Sequence, residues 1–346
     1  MPERDIFVVG GSAGALEALQ ILVRQLPADF PGAIFVVLHV ASESPSSLPA
    51  ILKRNGPLPA VHATDREAIR PGRIYIAPPD YHLLVHRSHV RVVRGPRENR
   101  NRPAIDPLFR TAARAYGNRV VGVILSGLLD DGSAGLATIK RHGGTAVVQD
   151  PQEAIYGEMP ASALQSVEAD YVVPAADLAA TLISVAAKPA LETVPAAAST
   201  HVAKEDRITE FYLDAMEDPD RPGTPSVFTC PECNGVLWEV PELGGPMRFR
   251  CRVGHAYTGG TLLAEKVHSY EGALWEALRA LEESANLAHR MARSARAANN
   301  LRSAERFEQQ AENKEQHAGA LRAMLLENEN QVPAPEVKDA GIEQVS

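Results

Sequence analysis

The chain has 346 residues, 45% of them hydrophobic, and a formal net charge of −8. That length and apolar content allow one large core plus smaller modules, while the acidic balance excludes a general nucleic-acid binder, which needs a basic face. The start lacks the long apolar region and basic lead of a secretion signal, and no stretch has the apolar length of a bilayer span. The sequence therefore predicts a cytoplasmic protein without membrane insertion.

Residues 1–187 alternate short apolar runs with amphipathic stretches. Ile6–Val9, Ile34–Leu38, Val120–Leu125 and Thr145–Val148 are rich in β-branched residues and apolar on both faces, which predicts buried strands. Leu16–Leu26, Asp106–Tyr116 and Gly135–Arg141 read as helices, with Asp106 as an N-cap and Pro107 in the first turn. Gly72–Arg94 holds three short runs, Ile74–Ile76, Leu83–His86 and Val90–Val93, and predicts a small antiparallel excursion. The βαβ-like order predicts an α/β domain with a doubly wound, mainly parallel sheet. An alanine- and proline-rich stretch opens a linker over 188–222, followed by a small zinc-ribbon-like module over 223–260. A long helical or coiled-coil region over 261–330 precedes a disordered tail over 331–346. In the helical region Val267, Tyr270, Leu274, Leu278, Leu281, Ala285, Ala288 and Met291 fall on one stripe. Asn299 and Asn300 mark a bend between two helices that form an antiparallel pair or a dimeric coil.

The first strand runs into Gly10-Gly11-Ser12-Ala13-Gly14 ahead of a helix. Glycines around a serine at such a turn bend the chain sharply and push the hydroxyl outward. The helix N-terminus beyond it offers free N–H groups to a developing oxyanion. The competing readings are a dinucleotide phosphate loop and a plain tight turn. The phosphate loop wants glycines at its first, third and sixth positions, which here hold Gly10, Ser12 and Ala15. It also wants an acid after the second strand, where His39 stands. Alone, His39 reads as a structural histidine and Asp131 as a helix cap. In a parallel sheet, however, Ser12, His39 and Asp131 all emerge at the carboxyl edge, as the parts of a nucleophile–base–orienter relay.

The stretches Val9–Gly14, Val36–His39, Arg70–Pro78, Asn101–Phe109 and Leu125–Gly132 together resemble the catalytic domain of the chemotaxis protein-glutamate methylesterases, in order and with matching spacing. The resemblance implies hydrolysis of glutamate methyl esters on chemoreceptors, with deamidation of receptor glutamines as a second activity and no cofactor in the chemistry. By position it makes Ser12 the nucleophile, His39 the general base and acid, and Asp131 the orienting carboxylate. The backbone N–H groups of Leu128 and Ala13 become the oxyanion donors. Members of the family usually carry an N-terminal phosphoacceptor domain; this sequence opens on the first catalytic strand, which predicts a stand-alone catalytic domain controlled by other means. Ala13 stands where the family usually has a hydroxyl residue, and Leu128-Leu129 where it has methionine–glycine; both bear on substrate positioning. The alternative reading is a catalytically weak sensory scaffold that keeps the fold. Arg94, Arg97, Arg100 and Arg102 either meet an anionic receptor helix or form a solvated loop with scattered ion pairs.

All three cysteines lie in Cys230-Pro231-Glu232-Cys233 and Cys251-Arg252-Val253-Gly254-His255. Two ligand pairs on tight turns predict a structural zinc held by Cys230, Cys233, Cys251 and His255, with no coordination position left for catalysis. Val236, Leu237, Trp238, Met247 and Phe249 predict two short strands between the pairs. A redox dithiol would normally open a helix in a βαβ setting. The helices beyond pack on each other, or serve self-association or the docking of a sensory partner.

Overall fold

The computed structural model describes residues 4–39, 46–190, 200–210, 223–241 and 245–329. The expected tail and residues 191–199 and 211–222 of the expected linker lie outside the described residues. Seven strands form one parallel sheet: β1 (Ile6–Gly11), β2 (Ala33–Leu38), β3 (Ala60–His62), β4 (Arg73–Ile76), β7 (Val120–Ile124), β8 (Thr145–Gln149) and β9 (Tyr171–Val173). Their order is β3-β4-β2-β1-β7-β8-β9, so the chain leaves β1 to one side and later returns to its other side at β7. That reversal opens a crevice outside the carboxyl ends of β1 and β7, where sheets of this kind bind ligands.

The central strands are buried end to end because both sheet faces are covered. Phe7 and Val9 face one core with α1 (Ala15–Gln25), α2 (Leu48–Asn55) and α6 (Leu178–Ala186). Ile6 and Val8 face the other with α3 (Ile105–Tyr116), α4 (Ser133–Arg141) and α5 (Glu158–Ser166). Among the described residues no helix is long and apolar enough to cross a membrane.

Two expectations need correction. Ile74–Ile76 belongs to the parallel sheet as β4, between β2 and β3; only β5 (His82–Val85) and β6 (Val90–Val93) form the antiparallel hairpin. Ile74 and Tyr75 point to opposite faces of β4 and both are fully buried, so the strand is covered on both faces, with Tyr75 stacked on Phe35 at a ring-centroid distance of 5.2 Å. Asp106 is not the N-cap of α3. Ala104 takes that position without a side-chain cap bond, and the Asp106 carboxylate accepts from the Gly135 N–H at 2.6 Å.

A four-stranded antiparallel sheet follows, β10 (Thr224–Thr229), β11 (Val236–Val240), β12 (Arg248–Cys251) and β13 (Ala256–Thr258), in that order. β11 and β12 are the two strands expected between the ligand pairs. The ribbon falls in one compact unit with the α/β domain, ending at Leu262. The stretch expected as a linker contributes α7 (Thr200–Thr209), whose Glu205, Asp206 and Thr209 are buried. An ionic cluster joins these parts. Arg110 of α3 meets Asp206 at 2.7 Å and Glu98 at 3.2 Å; Arg250 meets Glu98 at 2.7 Å; Arg248 meets Glu205 at 2.9 Å. Burial alone would raise Glu98, but Arg110, Arg250 and Arg248 overcome it and hold the carboxyl well below its usual range.

The second unit begins at Leu263. It is an antiparallel pair formed by α8 (Gly259–Ala297) and α9 (Leu301–Glu329), reversing at Asn299 with φ 58°. Leu278, Ala318 and Leu325 form its buried seam, and His289 meets Glu315 at 2.9 Å. Of the expected stripe, Leu278, Ala285 and Ala288 are buried, whereas Val267, Tyr270 and Met291 are exposed.

Arg110→Ala leaves Glu98 short of a cation in the interior and should destabilise the first unit by about 3–5 kcal/mol, read by urea unfolding. Because Glu98 is depressed, its stabilisation holds above the ordinary carboxylate pKa and should be lost as pH falls through the lowered value.

Candidate active site and metal centre

Ser12 follows β1 and His39 follows β2, and their preceding residues Gly11 and Leu38 are register partners. Neighbouring strands lie roughly 4.8 Å apart, so a hydroxyl and an imidazole at these positions are within side-chain reach. The His39 N–H donates to the Gly11 carbonyl at 3.2 Å and the Ser12 N–H to the Ser126 carbonyl at 2.9 Å, which ties both residues to the sheet edge. Gly14 caps α1 with φ 73°, a left-handed conformation that a side chain disfavours, and a Cβ there would lie 2.7 Å from Ile155. Ser126 braces the turn from below: its hydroxyl donates to the Ala13 carbonyl at 2.8 Å and accepts from the Tyr156 N–H at 2.9 Å.

Asp131 comes to the same edge from the turn after β7. Its Oδ2 accepts from His39 Nε2 at 2.8 Å, with the carboxylate almost fully buried and the ring about one-eighth exposed. A carboxylate accepts, so Nε2 carries the proton and the lone pair sits on Nδ1. Nδ1 has no partner among the described residues, which leaves it available as a base. The Ser12 hydroxyl likewise has no partner among the described residues, so the structure brings His39 and Asp131 into a bond and Ser12 beside them without one. Catalytic contacts of this kind commonly tighten only when substrate binds.

Three further donors hold Asp131. The N–H groups of Ile105 and Asp106, at the start of α3, donate at 2.8 and 3.2 Å, and Asn99 Nδ2 donates at 2.9 Å. Asn99 Nδ2 also reaches Asp106 at 2.9 Å. Burial, reinforced by the charge of Asp131, pushes Asp106 up to about 8. Asp106 therefore keeps a proton at neutral pH, which limits the charge buried next to the imidazole.

Among the described residues the backbone N–H groups of Ala13 and Leu128, expected as oxyanion donors, meet no acceptor, whereas that of Gly127 is bound to the Tyr156 carbonyl at 3.0 Å. A Cβ on Gly127 would fall 3.0 Å from Ser12 Cβ and 2.7 Å from Met159, so this turn lies directly against the serine. Leu128 itself is exposed and Leu129 has φ 62°. Of the four arginines expected either to meet a receptor or to form scattered ion pairs, Arg94 and Arg102 both pair with Asp80, at 2.6 and 2.5 Å.

Ser126 and Asn99 carry no role in the sequence reading, and Asp106 figures there only as a helix cap. The one signal for them is the density of polar residues, Glu98 to Asp106 and Ser126 to Asp131, beside runs that the fold buries.

In the ribbon, one ligand atom from each of Cys230, Cys233, Cys251 and His255 lies within 4.8 Å of the others. Cys230 Sγ and Cys251 Sγ each stand 3.6 Å from His255 Nδ1, and Cys233 Sγ stands 3.6 Å from Cys251 Sγ. A tetrahedral ion with metal–sulfur bonds of about 2.3 Å has ligand–ligand edges of about 3.8 Å, so these spacings fit one. His255 Nε2 meets the Glu232 carboxylate at 3.3 Å, the outer partner that a metal-bound histidine usually has. The thiols do not share charge evenly: the hydrogen bond from Cys251 draws Cys230 down to about 3, while Cys251 is pushed up. A cation among them removes that conflict.

The family profile for CheB methylesterase matches residues 7–182. A putative protein-glutamate methylesterase/protein-glutamine glutaminase of Leptospira interrogans is 39% identical over 170 residues, which is 49% of this chain and 88% of that protein. The chain belongs to the CheB methylesterase family. A protein-glutamate methylesterase/protein-glutamine glutaminase of Anaeromyxobacter dehalogenans is 40% identical over 173 residues, 49% of this chain and 48% of that protein. The crystal structure of the Thermotoga maritima CheB methylesterase catalytic domain superposes with a TM-score of 0.51 at 33% identity, covering 53% of this chain and 99% of that one. The CheB segment contains Ser12, His39, Leu128 and Asp131 and ends well before Cys230, so the Cys/His cluster lies outside it.

Because Asp106 is raised from 3.8 to about 8, the folded chain holds a proton that the unfolded chain releases between those values. Its contribution is complete below the unfolded value and declines as pH rises towards 8. Melting temperatures measured across that window should fall with pH in the wild type, and Asp106→Asn, neutral throughout, should lose that part of the slope.

Proposed function

We propose that the chain is a serine esterase that hydrolyses glutamate methyl esters on chemoreceptor-type proteins, with deamidation of glutamines as a second activity of the same site. The observation that carries this reading is the buried His39–Asp131 bond at the carboxyl edge, one strand from Ser12. Ser12 Oγ attacks the ester carbonyl while His39 Nδ1 takes its proton. The oxyanion of the tetrahedral intermediate accepts from the Ala13 and Leu128 N–H groups. His39 returns the proton to the departing methanol. Water, activated by the same imidazole, then attacks the acyl-Ser12 and frees the glutamate. Asp131 holds the ring in the required tautomer and stabilises its charged form.

Methylated receptor mixed with the protein should release methanol, and Ser12→Ala should abolish release in a folded protein. Asp131→Asn should lower the rate by about three to four powers of ten, since it favours the wrong tautomer. A folded wild-type protein that releases none would favour the scaffold reading.

For the ribbon, the donor set and the outer carboxylate support structural zinc. Four protein ligands leave no open position, so the ion would shape the fold and take no part in ester chemistry. Metal analysis of the purified chain should find one equivalent of zinc, and Cys251→Ser should reduce it and lower the ribbon's melting temperature.

A further inference from the structure

We propose that the metal-bearing ribbon is part of the active site: strand β13 holds Asn99 as a positioning residue for Asp131, so that docking of the ribbon sets the esterase rate. This rests on the serine-esterase reading above.

Asp131 accepts four hydrogen bonds, and Asn99 supplies the one whose donor depends on residues outside the CheB segment. Its partners Ile105 and Asp106 are backbone groups of α3, and His39 is the base itself. Asn99 instead sits in a reversal where it and Arg100 both have positive φ, 50° and 67°. L-residues pay for that conformation unless the surroundings hold it. β13 does so. The Asn99 N–H donates to the Ala256 carbonyl at 2.8 Å, and the Ala256 N–H returns to the Arg97 carbonyl at 3.2 Å.

The ribbon also decides which way the Asn99 amide points. Its Oδ1 accepts from the Thr258 N–H at 2.8 Å, so the amide oxygen faces the ribbon and Nδ2 must face Asp131 and Asp106. Turned round, the amide would set its oxygen against two carboxyls. A second grip lies one residue away, where the hydroxyls of Thr258 and Thr261 donate to Asp130 Oδ1 at 2.5 and 2.6 Å. Asp130 and Asp131 are consecutive, so donors from the ribbon and from the helix after it brace the turn that carries the catalytic carboxylate.

β13 begins at Ala256, next to the ligand His255, and the Cys251 N–H is bonded to the His255 carbonyl at 2.9 Å. Ligation at Cys251 and His255 therefore fixes the turn that aims β13 at Asn99. The pairs of Arg250 and Arg248 with Glu98 and Glu205 hold the neighbouring strand against the same loop. An inert ribbon would need none of the bonds to Asn99 and Asp130.

The test compares wild type and Asn99→Ala as full chains, each with bound metal and after its removal by chelation. Asn99→Ala should lower kcat roughly ten- to a hundredfold with little change in KM, the usual size of a lost outer-shell partner. Chelated wild type should show a similar fall, and chelating Asn99→Ala should add no more than about twofold, because both changes remove one linkage. Trp238 fluorescence reports the ribbon, while the amide signals of Val8 and Val123 confirm that the parallel sheet stays folded. Should Asn99→Ala not fold, Thr258→Ala takes its place, with a smaller fall in kcat expected. Full activity after the metal is gone, or falls that multiply, would overturn the proposal.

If wild type has no esterase activity at all, the functional reading fails, and the linkage is read from the NMR signal of the His39 Nε2–H, which reports its bond to Asp131. Losing Asn99 or the metal loosens Asp131, so that signal should move upfield and exchange faster with water. An unchanged signal in both cases would overturn the linkage independently of catalysis.

Discussion

Burying a carboxylate costs several kcal/mol unless donors replace the water it loses, and the fold around Asp131 is arranged to meet that demand. The start of α3 supplies two N–H groups, the loop before it supplies Asn99, and β2 supplies the imidazole at its end. The four donors come from three parts of the chain, so the site exists only when the parallel sheet and α3 are both in place. The carboxyl edge of β1, β2 and β7 is where those parts meet, because the chain reverses its winding between β1 and β7. The neighbouring Asp106 shows the same demand from the other side: pressed against a charged carboxylate in a dry site, it keeps its proton.

The ionic cluster under the ribbon follows a related logic. Glu98, Glu205 and Asp206 against Arg110, Arg248 and Arg250 gain little over a well-packed apolar contact, because both signs lose water. They discriminate strongly, since any shift of the ribbon strands charges that are buried. The cluster therefore specifies where the ribbon sits more than it adds stability. Glu98 is central to this: it directly precedes Asn99 in the same loop and pairs with arginines from both α3 and β12.

Much of this was legible in the sequence. The apolar runs marked β1, β2, β7 and β8, because strands buried on both faces leave a continuous pattern. Ser12, His39 and Asp131 could be gathered from their positions after such runs, and the four members of the Cys/His cluster from spacing alone. Other features left no local trace. β3 and β9 are three residues long, too short for any period to show. Tyr75 looked like part of a meander because turn residues flank it, and only its pairing with Phe35 of β2 and Val61 of β3 places it in the main sheet. Asp106 had the look of a cap, yet its carboxylate serves Gly135 and Asn99, partners that lie far off or in an irregular loop. The role of Asn99 depends on Thr258, more than 150 residues away, and such a contact is visible only in three dimensions.

With Ser12 as the nucleophile, activated by His39 on Asp131, a fluorophosphonate, which traps an activated serine, should leave one stoichiometric adduct. Mass spectrometry should map that adduct to Ser12 and find it lost in His39→Ala. An adduct on another serine, or labelling of Ser12 that persists at full rate without His39, would contradict that role of Ser12.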